Sequence, residues 1–417
     1  MLSQISSNLH LVYQDVDQGY ASKLLPPPGL VDLLKSCQKK VRNKLEKALK
    51  DKYNETPKFR VQGSFAYGTC NIPAQPHQGQ ELDLDYGAYL PVRVFTLNTE
   101  GTPDSAEEAK NYIDVTFNAL KELCEENSGW KLERKPSCLR IYGVAPHAHM
   151  DVPLYAVPNE MFDELESQHA LVMDSMQKAT PTSLQEKYAG RSIGLESYET
   201  DFMQEISENE SLIDLNSIDM IHMAKDDGTW FPSDCEKVRE WFKRQCAKYP
   251  NNGRQLRFIA RYLKGWRDQQ WDEKGPTSIV LMIAAVKNYI YCMGRDDLAL
   301  LSVTANLDTV LANNIYVSDM EDHEEEDFNR SNSSQRIENA RAARMLHSNL
   351  TSSQTIGLND GKASLEILTS LFGIRIPKDT SLIRQDHESS QDPIAKVINA
   401  PAVQRNSSVE LKSQSSG

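Results

Sequence analysis

The hydrophobic period of this chain changes near residue 160, and that change limits the folds open to it. Before it, "KFRVQ", "ELDLDYG", "WKLERKPSCLRIYGV" and "HAHMDVPLYAV" read as strands, because side chains alternate faces along a strand. Two amphipathic stretches separate them. Residues 29–53 place Leu30, Leu33, Leu34, Val41, Leu45 and Leu49 at helical spacing behind a Pro26–Pro28 run, and "PDSAEEAKNYIDVTFNALKELCEEN" opens on acidic residues that suit a helix N-terminus. Past residue 160 the stretches "SDCEKVREWFKRQCAKY", "NGRQLRFIARYLKGWRDQQW", "PTSIVLMIAAVKNYIYCM", "SSQRIENARAARMLHSNL" and "ASLEILTSLFG" all carry helical spacing. Strands with helices, followed by helices alone, predict an α+β lobe and a helical lobe. The expected division is 1–205, 206–377 and a flexible tail, 378–417, that is polar and rich in Ser and Gln.

Within such a fold, "ELDLDYG" is unusual. Asp83 and Asp85 point to the same side of one strand, where two like charges repel. Either that strand is a solvated edge or a divalent cation lies between the carboxylates. The context bears on the choice. In "HAHMDVPLYAV", alternation sets Ala148, Met150, Val152 and Leu154 on one face and His147, His149 and Asp151 on the other, giving a third strand carboxylate on a polar face. Two-metal phosphoryl transfer uses such hard oxygen ligands.

Upstream, "QGSFAYGT" places Gly63 and Ser64 in a turn able to cradle phosphates through backbone N–H groups. Gly63 and Gly68 have the spacing of a P-loop, but Thr69 and Cys70 stand where that motif needs Lys and Ser/Thr, which excludes it. Arg257, Arg261 and Lys264 form a basic stripe at i, i+4 and i+7; a solvated helix face is the ordinary reading, above all for Arg257. Thr277 and Ser278 follow a Gly-Pro turn and suit a helix cap. His147 and His149 beside Asp151 could suggest a zinc or iron site, but strand histidines without a matched partner read as surface or hydrogen-bonding residues, and the acidic run from Ser318 reads as a solvated loop.

Composition excludes several classes. The chain has 417 residues, 39% of them hydrophobic, enough for two domains, and its net charge of −13 argues against coating nucleic acid or an anionic membrane. Seven scattered cysteines without a Cys-x-x-Cys pair suggest neither a disulfide framework nor a zinc knuckle, and fit a reducing cytoplasm. No signal-like N-terminus precedes the fold, and "SIVLMIAAV" is stopped by Lys287 before it could span a bilayer.

Gly-Ser, Asp-x-Asp and a later strand Asp together match the signature of polymerase-β-like nucleotidyltransferases. Beyond that, "QGSFAYGTCNIPAQPHQGQELDLDYGAYLPV", "SCLRIYGVAPHAHMDVPLYAVP", "WFPSDCEKVREWF" and "LKGWRDQQWDEKGPTSIVLM" resemble the bacterial cyclic-oligonucleotide synthases of anti-phage signalling. These are the cGAS/DncV-like nucleotidyltransferases (CD-NTases), and the likeness is to the branch that makes 3′,3′-cyclic GMP-AMP. It runs from about Pro57 to Ala285.

The resemblance implies a bilobed enzyme with its site in the cleft, joining ATP and GTP into a cyclic dinucleotide with release of pyrophosphate. It implies that Asp83, Asp85 and Asp151 are catalytic and hold two Mg²⁺ ions, with Mn²⁺ a possible substitute. Gln62, Gly63, Ser64, Lys264, Thr277 and Ser278 would meet the donor nucleotide, and Tyr67, Arg140 and Ser233 would line its pocket. An acidic residue such as Asp327 would read a base edge. Arg60 replaces the aromatic residue of the folate-responsive members, which weighs against folate control. Family members also imply conjugation at Gly417 by a ubiquitin-like E1–E2 protein and a downstream cyclic-nucleotide effector. Stable nucleic-acid or membrane partners are not expected. Alternatives are cyclic di-AMP, a cyclic trinucleotide, a linear 2′-5′ oligonucleotide, or a catalytically idle nucleotide-binding protein.

Overall fold

The computed structural model of the chain describes residues 7–74, 79–163, 221–233, 235–272, 275–320 and 325–385. Its organising element is strand β3 (Leu82–Pro91), which follows the short pairing strand β1 (Ser7–Asn8) and strand β2 (Lys58–Val61). Strand β2 runs antiparallel along one edge of β3. Along the other edge, β6 (Ala148–Val152) and β7 (Leu154–Val157) run parallel to β3 in one unbroken register: Asp83 pairs with His149, Asp85 with Asp151, and Ala88 with Leu154. Pro153 divides them, lacking an N–H, while its carbonyl still accepts from the Ala88 amide at 2.9 Å.

Strands β5 (Leu139–Ala145) and β4 (Lys131–Arg134) continue antiparallel beyond β6, placing Arg140 opposite Asp151. Beyond β7, β8 (His222–Ala224) and β9 (Trp230–Pro232) follow antiparallel, completing the pairing order β4-β5-β6-β3-β7-β8-β9. These last two strands lie beyond residue 206, so the sheet lobe extends past its expected boundary. Each has three residues, too few to show alternation in sequence.

Two long helices pack under the sheet. Helix α2 (Pro28–Tyr53), after the short α1 (His10–Gln14), begins with Pro in its first turn and stops at Asn54 in the left-handed region (φ 53°). It buries Leu34, Cys37, Val41, Leu45 and Leu49. Helix α4 (Ala106–Glu126), which follows the single turn α3 (Gly63–Ala66), is capped by Ser105, whose hydroxyl accepts from the Glu108 amide. Leu82 and Leu84 of β3 join this core, which leaves Asp83 and Asp85 on the opposite face.

The second lobe comprises α5 (Cys235–Ala247), α6 (Pro250–Gln270), α7 (Ser278–Asn288), α8 (Asp296–Thr304), α9 (Leu307–Ala312), α10 (Ser333–Ile356) and α11 (Gly361–Phe372). Helix α7 buries Val280 through Ala285 at its centre, and no described helix is long and apolar enough to cross a membrane. The N-terminal segment belongs here too, because Leu9, Val12, Tyr13, Tyr20 and Leu24 enter this core. Buried carboxylates fix it: Asp297 accepts from the Leu9 amide at 2.9 Å, and Asp296 accepts from Gln14 at 2.7 Å. Strand β10 (Arg384–Gln385) pairs with β1, so structure continues past residue 378, where the tail was expected to begin. A pairing of two residues per strand leaves no periodic trace in sequence.

Candidate active site

The "QGS" turn is fastened to β3 before any ligand is considered. The Gln62 amide donates to the Asp85 carbonyl at 2.9 Å, after which Gly63 takes φ +60° and Gly68 closes the turn at φ +66°. A Cβ at Gly63 would lie 2.0 Å from Asp85 Oδ2, so glycine is required both for backbone conformation and for space. The Gln62 side chain turns away from the cleft. It is buried, donating its amide to the Tyr89 hydroxyl and accepting from the Tyr155 hydroxyl at 3.0 Å. Triphosphate contact through that side chain, expected from sequence, does not match this arrangement; the two tyrosines already satisfy it.

On the floor, the parallel register brings Asp83, Asp85, His149 and Asp151 to one face. Arg140 reaches across from β5 and grips both oxygens of Asp151 at 2.7 Å, a bidentate pairing that raises the guanidinium pKa further. His149 is only 6% exposed, which corrects its reading as a surface residue; His147, in the adjoining turn at φ 52°, is exposed. The His149 ring meets Glu81 Oε2 through Nδ1 at 2.8 Å and lies 3.0 Å from Asp83 Oδ1 through Nε2. Burial pushes its pKa down, but Asp83 and then Glu81 outweigh that, and the net direction is up. Asp85 lacks such a partner. Burial, then the Asp83 and Asp151 charges, push it up to about 7, against smaller opposing pulls from His149 and Arg140.

These residues fit a divalent cation. Asp83 Oδ1 is buried without an aligned hydrogen bond, and Asp83, His149 and Asp151 each offer a ligand atom within 4.8 Å of the others. Three carboxylates held on one face constitute the hard oxygen donor set that Mg²⁺ prefers.

Across the cleft, Lys264 of α6 donates to the Thr69 carbonyl at 2.7 Å, and its burial lowers its pKa to about 8. Thr277 caps α7 through the Val280 amide, and Arg267 donates to the Ser278 hydroxyl at 3.0 Å, so a guanidinium stands at that helix N-terminus. Between the lobes lies a cavity of about 690 Å³ that Gly63, Ser64, Tyr67, Asp83, Asp85, Arg140, Lys264, Thr277 and Ser278 line together.

Other expected positions lie elsewhere. Ser233 follows β9, its amide donating to the Ile221 carbonyl, and is not among the cavity's lining residues. Asp327 accepts from the Ile315 and Asn329 amides and pairs with Arg336, which accounts for it as a loop anchor. Arg257 and Arg261 are buried rather than solvated: Arg257 donates to the Asn252 carbonyl, and Arg261 packs over the Phe258 ring at 5.0 Å. Gly417 lies outside the described residues. Cys37, Cys70, Cys124, Cys138, Cys246 and Cys292 are free. Sequence reasoning missed Glu81 and Arg267. A carboxylate two positions before Asp83 was the signal for the first, since it shares that strand face.

The comparisons with known proteins agree with this geometry. Residues 57–155 match the family model of the cyclic GMP-AMP synthase DncV-like nucleotidyltransferase domain, and residues 253–385 match that of the cyclic GMP-AMP synthase C-terminal domain. A cyclic GMP-AMP synthase of Vibrio cholerae is 37% identical over 233 residues, covering 55% of this chain and 47% of that protein. One from Escherichia coli is 34% identical over 232 residues, 55% of this chain and 46% of its own. The matched part thus spans about half the length of these curated relatives. Among solved structures, Vibrio cholerae DncV in complex with the linear intermediate 5′ pppA(3′,5′)pG superposes with a TM-score of 0.68 at 23% identity, over 92% of this chain and 100% of that one. Its apo form gives 0.67 at 22% identity, with coverage of 92% and 100%. Residues 57–155 and 253–385 thus carry, in order, the nucleotidyltransferase and C-terminal domains of the DncV-like cyclic GMP-AMP synthases, and the DncV fold is shared along nearly the whole chain.

Proposed function

We propose that the protein joins two nucleoside triphosphates, ATP and GTP, into a cyclic dinucleotide such as 3′,3′-cyclic GMP-AMP. The observation that carries this reading is the parallel register of β3 and β6, which puts Asp83, Asp85 and Asp151 on one face, with Asp83 and Asp85 lining the same cavity as Gly63 and Lys264. A cavity of about 690 Å³ is of the size that small-molecule sites occupy.

In each transfer a ribose hydroxyl of one nucleotide attacks the α-phosphorus of the other. An O–P bond forms, the bond to pyrophosphate breaks, and the hydroxyl proton is lost. Asp83, Asp85 and Asp151 would hold two Mg²⁺ ions, which when bound supply positive charge at the attacking and leaving oxygens. Ser64 and the amides of the turn would position the triphosphate, with Lys264 and the α7 N-terminus neutralising its charge. The linear product then turns over in the cleft and closes by the same chemistry. Work in anti-phage signalling, an effector that reads the product, and conjugation at Gly417 belong to the same proposal, supported by the family resemblance.

The test incubates the purified chain with Mg²⁺ and NTPs singly and in pairs, identifying products by mass spectrometry beside Asp83→Asn. A cyclic purine dinucleotide absent from the control is the expected outcome. No nucleotide product under any pairing would overturn the reading.

A further inference from the structure

The floor of the cleft holds a nitrogen donor that an all-carboxylate triad does not need. His149 Nε2 lies 3.0 Å from Asp83 Oδ1, yet both atoms are buried without an aligned hydrogen bond. Such proximity without alignment suits two adjacent ligands of one cation: at metal–ligand distances of roughly 2.1 Å, neighbouring donors in an octahedral shell stand about 3 Å apart. Asp151 offers a third atom, all three lying within 4.8 Å. The other face of the imidazole agrees, because Nδ1 meets the Glu81 carboxylate at 2.8 Å. A carboxylate on one ring nitrogen fixes the proton there and leaves the other nitrogen's lone pair toward a metal, the arrangement that orients ligating histidines.

We infer that His149 Nε2 ligates a divalent cation together with Asp83 and Asp151, oriented by Glu81, and that the site consequently favours Mn²⁺ relative to Mg²⁺. Imidazole suits the first-row transition ions, whereas Mg²⁺ demands oxygen. The register accounts for how the sheet builds this set: His149 stands directly across from Asp83, and Asp151 follows two residues later on the same face. Arg140 occupies the outer side of Asp151 with two 2.7 Å bonds, and each carboxylate oxygen keeps a further lone pair for a metal. The inference deepens the reading above, since the cation is the one nucleotidyl transfer would use.

The experiment needs no nucleotide. Metal-stripped full chain is titrated with Mn²⁺ alone, free ion is followed by continuous-wave electron paramagnetic resonance, and the bound ion is examined by pulsed methods for ¹⁴N coupling. The expected result is the coupling of a directly bound imidazole in the wild type, lost in His149→Ala. That variant should bind Mn²⁺ at least tenfold more weakly, with a smaller loss for Mg²⁺ measured by displacement. Glu81→Gln should keep the coupling and weaken Mn²⁺ binding about tenfold. Bound Mn²⁺ without ¹⁴N coupling in the wild type, unchanged Mn²⁺ affinity in His149→Ala, or no Mn²⁺ binding at all would overturn the inference. Because the wild-type spectrum is itself decisive, a variant that folds poorly does not rescue it. A coupled Mn²⁺ site with no nucleotide product would sink the proposed reaction and leave this ligand intact; product formation with an all-oxygen Mn²⁺ site would do the reverse.

Discussion

Asp85 and Asp151 stand directly across from each other on parallel strands, and only Asp151 has a counter-charge, the Arg140 fork. The two carboxylates therefore contribute differently before and after a cation arrives. Without metal, Asp85 is a buried charge facing two like charges. Asp85→Asn should raise the melting temperature of metal-free protein while lowering turnover on the order of 10²–10³-fold or more, the scale of losing an electrostatic contact in a transition state. Calorimetry with chelator present and product formation with Mg²⁺ check the two halves.

Gly63 sits where a methyl group would enter the Asp85 carboxylate. Gly63→Ala should displace that side chain and lower kcat by at least 100-fold, because misplacement of about 1 Å in a reacting assembly has that effect. Steady-state kinetics are the readout, with circular dichroism showing that the fold persists.

Lys264 supplies the pH dependence. Its burial lowers the ammonium pKa to about 8, and phosphate binding requires the charged form, so the neutral fraction grows as pH rises through that value. KM for NTP should increase about tenfold per pH unit above roughly 8, with kcat changing less. Lys264→Met should show a high KM that no longer varies over this range.

Gln62 separates a structural role from a ligand role. Tyr155→Phe removes the buried hydrogen bond that its hydroxyl donates to Gln62 Oε1, which costs about 0.5–1.5 kcal/mol of stability. The expected outcome is lower denaturant resistance with KM for NTP near the wild-type value. A large KM increase with unchanged stability would instead place Gln62 on the substrate.

The sequence was most legible where a residue's chemistry and its periodicity agree. Asp83, Asp85 and Asp151 stood out because charged residues interrupt runs that otherwise bury Leu82, Leu84 and Met150, and the long helix beginning after Pro26–Pro28 announced both its start and its apolar face. Pairing across strands was not legible. That His149 would face Asp83 depends on a parallel register set by strands distant in the chain, and a histidine two residues from an aspartate has no such meaning by itself. Arg257 and Arg261 misled for a related reason: helical spacing shows which residues share a face, while the packing partner decides whether that face meets water. The strands β8 and β9 were too short to register at all.

Among the described residues the backbone passes between the lobes twice, once at Pro26–Pro28 after the N-terminal segment and again between β9 and α5. A door hung on two pins turns about the line joining them. Any opening wide enough for a linear dinucleotide to reverse would therefore be a rotation about that one axis, and it would have to release the bonds that tie the lobes together, Lys264 on the Thr69 carbonyl and Asn71 on the Arg261 carbonyl.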